Sequence, residues 1–260
     1  MKLAYENAQG DVTMAKSIAD KMVAQKVDLI FCITTPSCQP AVRATASIPI
    51  VFGYVGDPVN DGLVSNYDRP GRNVSGVLPV NPGADQIKLI REVLPTAKNV
   101  GTVWNLNDAN SRAEVVADRP VFQQLGLNLV EVNVSNANEV VAATQSLVGK
   151  VDALYVVGDS AAQPAMLAII RAAQENRLPL FVEDVGSVQN GALATYSATE
   201  RDLGKQAGDF IADVLGGQKI GDRAVQKPLK YSLVLNQTAA GRIGLTFPES
   251  VLRRADLVIK

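Results

Sequence analysis

Hydroxyl, carboxylate and tyrosine residues recur just beyond apolar, strand-length runs of this chain. Thr34, Thr35 and Ser37 follow the run Asp28–Ile33, and Tyr54 and Asp57 follow Ile48–Phe52. Further on, Asn105 follows Asn99–Trp104, and Asp159 and Ser160 follow Ala153–Val157. Glu183 and Asp184 follow Leu180–Val182, and Tyr196 follows Ala192–Thr195. Hydroxyls and unpaired N–H groups at a helix start suit a carboxylate. A carboxylate suits an ammonium or a hydroxyl, and tyrosine rings suit an apolar or aromatic body. Each feature also has a plain structural use. Asp159 or Ser160 could cap a helix, as could the Thr34–Ser37 group, and Tyr54 and Tyr196 could pack at a rim. Glu183 and Asp184 are adjacent on one strand end and point in different directions, which favours a single ligand contact over a catalytic pair.

What is missing narrows the chemistry further. The 260 residues contain no histidine, which removes the usual general base and the commonest metal ligand. Cys32 and Cys38, with five residues between them, fit no zinc spacing. Both are expected to be packing residues, Cys32 as a buried strand thiol and Cys38 near a helix start with no base beside it. No glycine loop of the dinucleotide or nucleoside-triphosphate type follows a strand, and Gly71-Arg-Asn-Val-Ser-Gly76 precedes a strand and reads as a turn. No cofactor or metal is expected. Lys plus Arg number 25 against 26 Asp plus Glu, so nothing favours nucleic acid. The apolar runs are too short to span a membrane. The segment after Met1 turns polar within a few residues, unlike a signal peptide, and by itself reads as cytoplasmic.

The elements that must position these residues alternate between two periods. Helices are predicted over Asp11–Gln25, from Thr35, over Ala84–Leu94, Ala109–Leu125, Ala137–Val148, Ala161–Asn176, Glu200–Leu215, Gln237–Ile243 and Glu249–Arg254. Strands are predicted between them at the runs above and at Val74–Val77, Asn128–Val134 and Ser232–Leu235. Such alternation implies α/β architecture with two series, each half of a doubly wound parallel sheet, whose ligands bind at strand carboxyl ends.

The sequence resembles ABC-transporter substrate-binding proteins related to tryptophan/tyrosine uptake, of the type I periplasmic-binding-protein fold. The resemblance rests on Asn7-Ala-Gln-Gly-Asp11, Val27-Asp-Leu-Ile30, Thr35-Pro36, Ile48-Pro-Ile-Val-Phe52, Asp57-Pro-Val59 with Gly62-Leu-Val64, and Pro70–Gly76. It continues through Val151-Asp-Ala-Leu-Tyr155, Asp159, Gly191–Thr195, Leu203-Gly204 and Val214–Gly217. It implies two lobes with an interlobe ligand cleft, 1–98 plus 198–223 and 99–197 plus 224–260. Family members carry a secretion signal, a strand and a helix before the segment matching Leu3–Asp11, so the first lobe is expected to lack a βα unit. This chain has Tyr196-Ser197 where the family tends to carry Gly and then Asp-Tyr, and Ser160 where Asn is common, so its ligand is expected to differ in detail.

The resulting expectation is a monomeric solute-binding component of an ABC importer, at the periplasm or outer cell surface, delivering a small amphipathic ligand to a permease. An aromatic or other hydrophobic amino acid fits best. Thr35 and Ser37 would take its carboxylate, Asp159 and Asp184 its ammonium, and Tyr54 and Tyr196 its apolar part. Asp57, Asn105 and Ser160 complete the candidate set. A ligand-sensing module of a regulator with the same fold is the alternative, and a two-domain α/β enzyme a more distant one.

Overall fold

The computed structural model describes residues 2–9, 11–79 and 82–260. The chain opens with α1 (Val12–Ala24), β1 (Ile30–Ile33), α2 (Thr35–Ala44), β2 (Ile50–Gly53) and β3 (Val74–Val77). Then come α3 (Gly83–Val93), β4 (Asn99–Asn105), α4 (Ala109–Gln124), β5 (Asn128–Val134), α5 (Ala137–Leu147), β6 (Ala153–Val156), α6 (Met166–Glu175) and β7 (Leu180–Val182). It closes with α7 (Val185–Gln189), β8 (Ala194–Ser197), α8 (Glu200–Leu215), β9 (Ser232–Asn236), α9 (Gln237–Ile243), α10 (Glu249–Leu252) and β10 (Leu257–Ile259). Two compact units result, Met1–Val80 with Glu200–Lys230, and Asn81–Thr199 with Tyr231–Lys260.

In the first unit β1, β2 and β3 form a parallel sheet in that order, with Ile30 opposite Ile50 and Ile50 opposite Val74. Their β-branched side chains fit a pleated surface, and Ile50, Phe52 and Val74 are fully buried. The α8 helix covers β2 and β3 with one apolar face, Leu203, Ala207, Phe210 and Val214, spaced three or four apart. On the other side α1 packs on α2, and Asp11 starts α1 by accepting the Met14 N–H at 2.8 Å. Gly76 is required where β3 passes β2, because a Cβ there would lie 2.1 Å from the Phe52 carbonyl oxygen.

Cys32 and Cys38 are joined in a disulfide. The expectation of two free packing thiols was therefore wrong, although both sulfurs are buried as expected. The chain doubles back at Thr34, which brings the two Cα atoms to 5.2 Å across six residues, well inside bonding range.

The second unit is a seven-stranded sheet of order β10-β9-β8-β7-β6-β4-β5. Helices on both faces fill two cores. One gathers Val100, Trp104, Tyr155 and Phe181 with Ile87, Val115 and Phe122. The other gathers Val103, Leu154, Val156 and Val182 with Val140 and Ile169. Burying each of the larger side chains contributes about 1.5–3 kcal/mol. Ile87, Ile90 and Val93 place α3 in this core, so the compact units part before α3 and not near Lys98. The chain passes between the units again after Thr199 and after Lys230.

Three further differences concern the sheet's edge and one helix. β8 and β9 pair antiparallel, Tyr196 opposite Leu233, where parallel strands were expected throughout. α7 and β10 were not anticipated; both are short. Residues Ala161 to Ala165 form turns and α6 begins only at Met166, since Pro164 disfavours helix in the residue before it.

Candidate functional site

In the first unit, β1 and β2 both exit through backbone that side-chain-bearing residues rarely adopt. Thr34 has φ 72° and ψ 153°, and Tyr54 has φ 55°. Each costs on the order of 1–3 kcal/mol, and such outliers cluster where ligands bind. The Thr34 N–H donates to the Gly53 carbonyl at 2.9 Å, tying the two exits together. Thr34 provides no side-chain cap for α2, whose second residue is Pro36. The Thr35 hydroxyl donates to Asp61 at 2.7 Å and keeps its lone pairs for another donor. Ser37 is half-buried, and its hydroxyl has no partner among the described residues. Tyr54 is 42% exposed and makes interactions of its own.

Asp57 has a loop-building role. Its carboxylate accepts the Asn60 N–H at 3.1 Å, the Asn60 side-chain amide and the Tyr67 hydroxyl at 3.0 Å. Burial pushes its pKa up, but these donors together outweigh burial and hold it below the usual aspartate value. The Tyr67 hydroxyl is correspondingly pushed up to about 12, by burial first and then by Asp57.

In the second unit the strand order reverses direction at β4, between β5 and β6, which is where open α/β sheets place ligands. Asn105 ends β4 there, and Gly158, Asp159 and Ser160 follow β6. Asp159 is buried, and three backbone N–H groups fill its carboxylate: Ala161 and Ala162 on Oδ1, Asn105 on Oδ2, each at 2.8 Å. It joins the two strand ends instead of presenting a bare charge. The Asn105 side chain accepts from the Asn107 N–H at 2.9 Å. Ser160 donates its N–H to Asp108 at 3.0 Å. Burial raises the Asp108 pKa, but Ser160, Ser111 and Asn110 outweigh it and the net shift is downward. Asp184 caps α7 through Oδ1, which accepts the Ser187 N–H at 2.7 Å, and its Oδ2 has no hydrogen bond among the described residues.

Tyr196 is half-buried at the end of β8. Its N–H donates to Gln86 Oε1, while Gln86 Nε2 donates to the Val182 carbonyl, so a fully buried glutamine spans the ends of β7 and β8. Tyr196 meets Tyr231 with ring centroids 6.0 Å apart and planes at 38°. The sequence reading missed Tyr231, because a parallel β9 would start at the far edge of the sheet. Antiparallel pairing brings it to the same edge as Tyr196.

It also missed a buried acidic cluster under this edge. The Tyr155 hydroxyl lies 2.8 Å from Glu183 and 3.1 Å from Asp118, and the Gly158 N–H donates to Glu183 at 2.8 Å. Glu114 hydrogen-bonds to Glu183 as well. Burial, then the charge of Glu183, pushes the Asp118 carboxyl up to about 7 against the opposing Tyr155 bond. The same two causes raise Glu114 further, and the Tyr155 hydroxyl is held well above its ordinary value. The available signal was the four-residue spacing of Glu114 and Asp118 beside Val115 and Phe122, on the apolar face of α4.

The ABC transporter substrate binding protein family model matches residues 1–259. The chain belongs to this family. This substrate binding protein is 36% identical over 237 residues to the tyrosine-binding protein of Clostridioides difficile, covering 91% of this chain and 69% of that one. Among solved structures it is similar to an ABC domain from Streptococcus pneumonia in complex with L-Trp. That match has 30% identity and a TM-score of 0.86, covering 100% of this chain and 90% of that one. It is also similar to a ligand-free, open substrate binding protein with adhesive properties from Clostridium difficile. There the identity is 33% and the TM-score 0.82, over 98% and 86% of the two chains. Two-lobed α/β architecture and substrate-binding membership thus agree with the sequence reading.

Proposed function

We propose that this protein captures an aromatic amino acid and delivers it to an ABC permease, acting by binding without turnover. The similarity along its whole length to a tryptophan-bound substrate binding protein carries the reading. A tyrosine-binding relative supports the same ligand class. At the carboxyl edges of the sheets, the Thr35 N–H and the Ser37 hydroxyl take the carboxylate, and Asp184 takes the ammonium on its remaining oxygen. Tyr54 and the Tyr196–Tyr231 pair flank the ring. Asp159, proposed from sequence as an ammonium partner, is assigned a supporting role because three N–H groups occupy it. Asn105 and Ser160 support the same edge, and Asp57 shapes its loop. The Cys32–Cys38 disulfide favours an oxidising setting outside the cytoplasm.

Calorimetric titration with the amino acids tests this. Tyrosine, tryptophan or phenylalanine should bind with a Kd of about 1 μM or tighter, roughly −8 kcal/mol. No heat and no thermal shift with any aromatic member would refute it.

A further inference from the structure

We propose that the Cys32–Cys38 disulfide is a positioning device for ligand, holding the Thr34–Ser37 turn in the shape that presents Thr35 and Ser37. The inference rests on the carboxylate assignment made above.

The turn needs a holder. Thr34 combines φ 72° with ψ 153°, a region otherwise left to glycine. No side chain caps α2 at this position. The local hydrogen bonds are the Thr34 N–H to Gly53 at 2.9 Å, and the Ser37 and Cys38 N–H groups to the Thr34 carbonyl at 3.2 and 3.1 Å. The disulfide closes the same segment covalently. Its first end is fixed in the sheet, where Cys32 lies opposite Phe52, and its second lies in the first turn of α2. Cys32 is 6% exposed and Cys38 fully buried, so both anchors sit in the packed core of the first unit. Between them lie Ile33 at the end of β1, Thr34 at the bend, and Thr35, Pro36 and Ser37 in the first turn of α2. A loop this short gains little in global chain entropy, so the constraint falls chiefly on the turn's own geometry.

Without the cross-link, Thr34 is free to relax toward ordinary extended backbone, and the Thr35 N–H and the Ser37 hydroxyl lose their presentation. The loss concerns the carboxylate that these donors hold. It therefore falls on ligands that carry a carboxylate and spares those that lack one.

The experiment compares tryptophan with tryptamine, which lacks the carboxylate, by titration into the parent and into Cys32→Ala/Cys38→Ala. The double variant should bind tryptophan about tenfold more weakly and tryptamine equally well. Adding Thr34→Gly to that background should restore part of the tryptophan affinity, since glycine reaches this conformation without the steric strain that drives Thr34 out of it. A merely structural bond would weaken both ligands alike and show no rescue. Should the double variant fail to fold, the parent exposed to excess dithiothreitol makes the same comparison. The S–S bond is exchanged to two protein thiols while the reductant closes to its cyclic disulfide. Equal tryptophan affinity with and without the bond overturns the proposal and leaves the proposed function standing. A parent that binds neither aromatic ligand overturns both.

Discussion

Replacing Asp118 by asparagine should stabilise the protein at neutral pH and leave its stability unchanged in acid. Asp118 is 5% exposed, and its neighbours are Tyr155, Glu183 and Glu114, with no Lys or Arg bonded to the group among the described residues. Its carboxyl is pushed from 3.8 up to about 7. Below the unfolded value, both states carry the proton and stability is complete. Between the two values the unfolded chain has lost it while the native chain keeps it, so stability falls as pH rises. Above about 7 the native carboxyl ionises too, and the loss has reached its limit. At 1.36 kcal/mol per unit, the shift corresponds to a ceiling of about 4 kcal/mol. Asparagine keeps the shape and an acceptor for the Tyr155 hydroxyl but has no proton to lose. Urea unfolding followed by Trp104, buried in the same core, measures this at several values between about pH 4 and pH 8. The midpoint of Asp118→Asn should pull ahead of the parent as pH rises, at constant slope. A variant that trails the parent at neutral pH, or a gap that does not change with pH, would refute the reasoning.

Two other substitutions test separate parts of the fold. The Thr102 hydroxyl, 1% exposed on β4, has no hydrogen-bond partner among the described residues, so Thr102→Val should be neutral or raise stability by up to about 1 kcal/mol. A loss of more than that in thermal melts would mean the hydroxyl is bonded after all, for instance to a buried water. Gly76→Ala drives a Cβ to within 2.1 Å of the Phe52 carbonyl and should cost the first unit on the order of 4 kcal/mol. A far-ultraviolet transition moving well below that seen by Trp104 is the expected sign, and coincident parental melts would count against it.

The sequence was most legible where one period runs long. The helices of ten residues or more mostly fall within a residue or two of their predicted ends, because apolar positions three and four apart are hard to arrange otherwise. It was least legible where one distant contact decides the outcome. Nothing in Ser232–Asn236 announces an antiparallel partner, yet that pairing alone brings Tyr231 to Tyr196. Likewise the cysteine pair depends on Thr34 adopting a conformation its residue type disfavours.

The acidic residues show why a site is harder to read than a fold. A helix start and an amino-acid ligand ask for the same chemistry: an oxygen that accepts N–H groups bearing partial or full positive charge. Asp159 and Asp184 satisfied both descriptions equally on paper, and only the count of donors separates them. Asp159 receives three backbone N–H groups on its two oxygens, so a ligand ammonium would have to displace a bond that already joins β4 to the turn before α6. Asp184 receives one, and half its carboxylate remains. Asp184→Asn should therefore weaken aromatic amino acid binding by about tenfold or more. Asp159→Asn should act mainly on stability, and the opposite ranking in paired titrations and melts would reverse these two assignments.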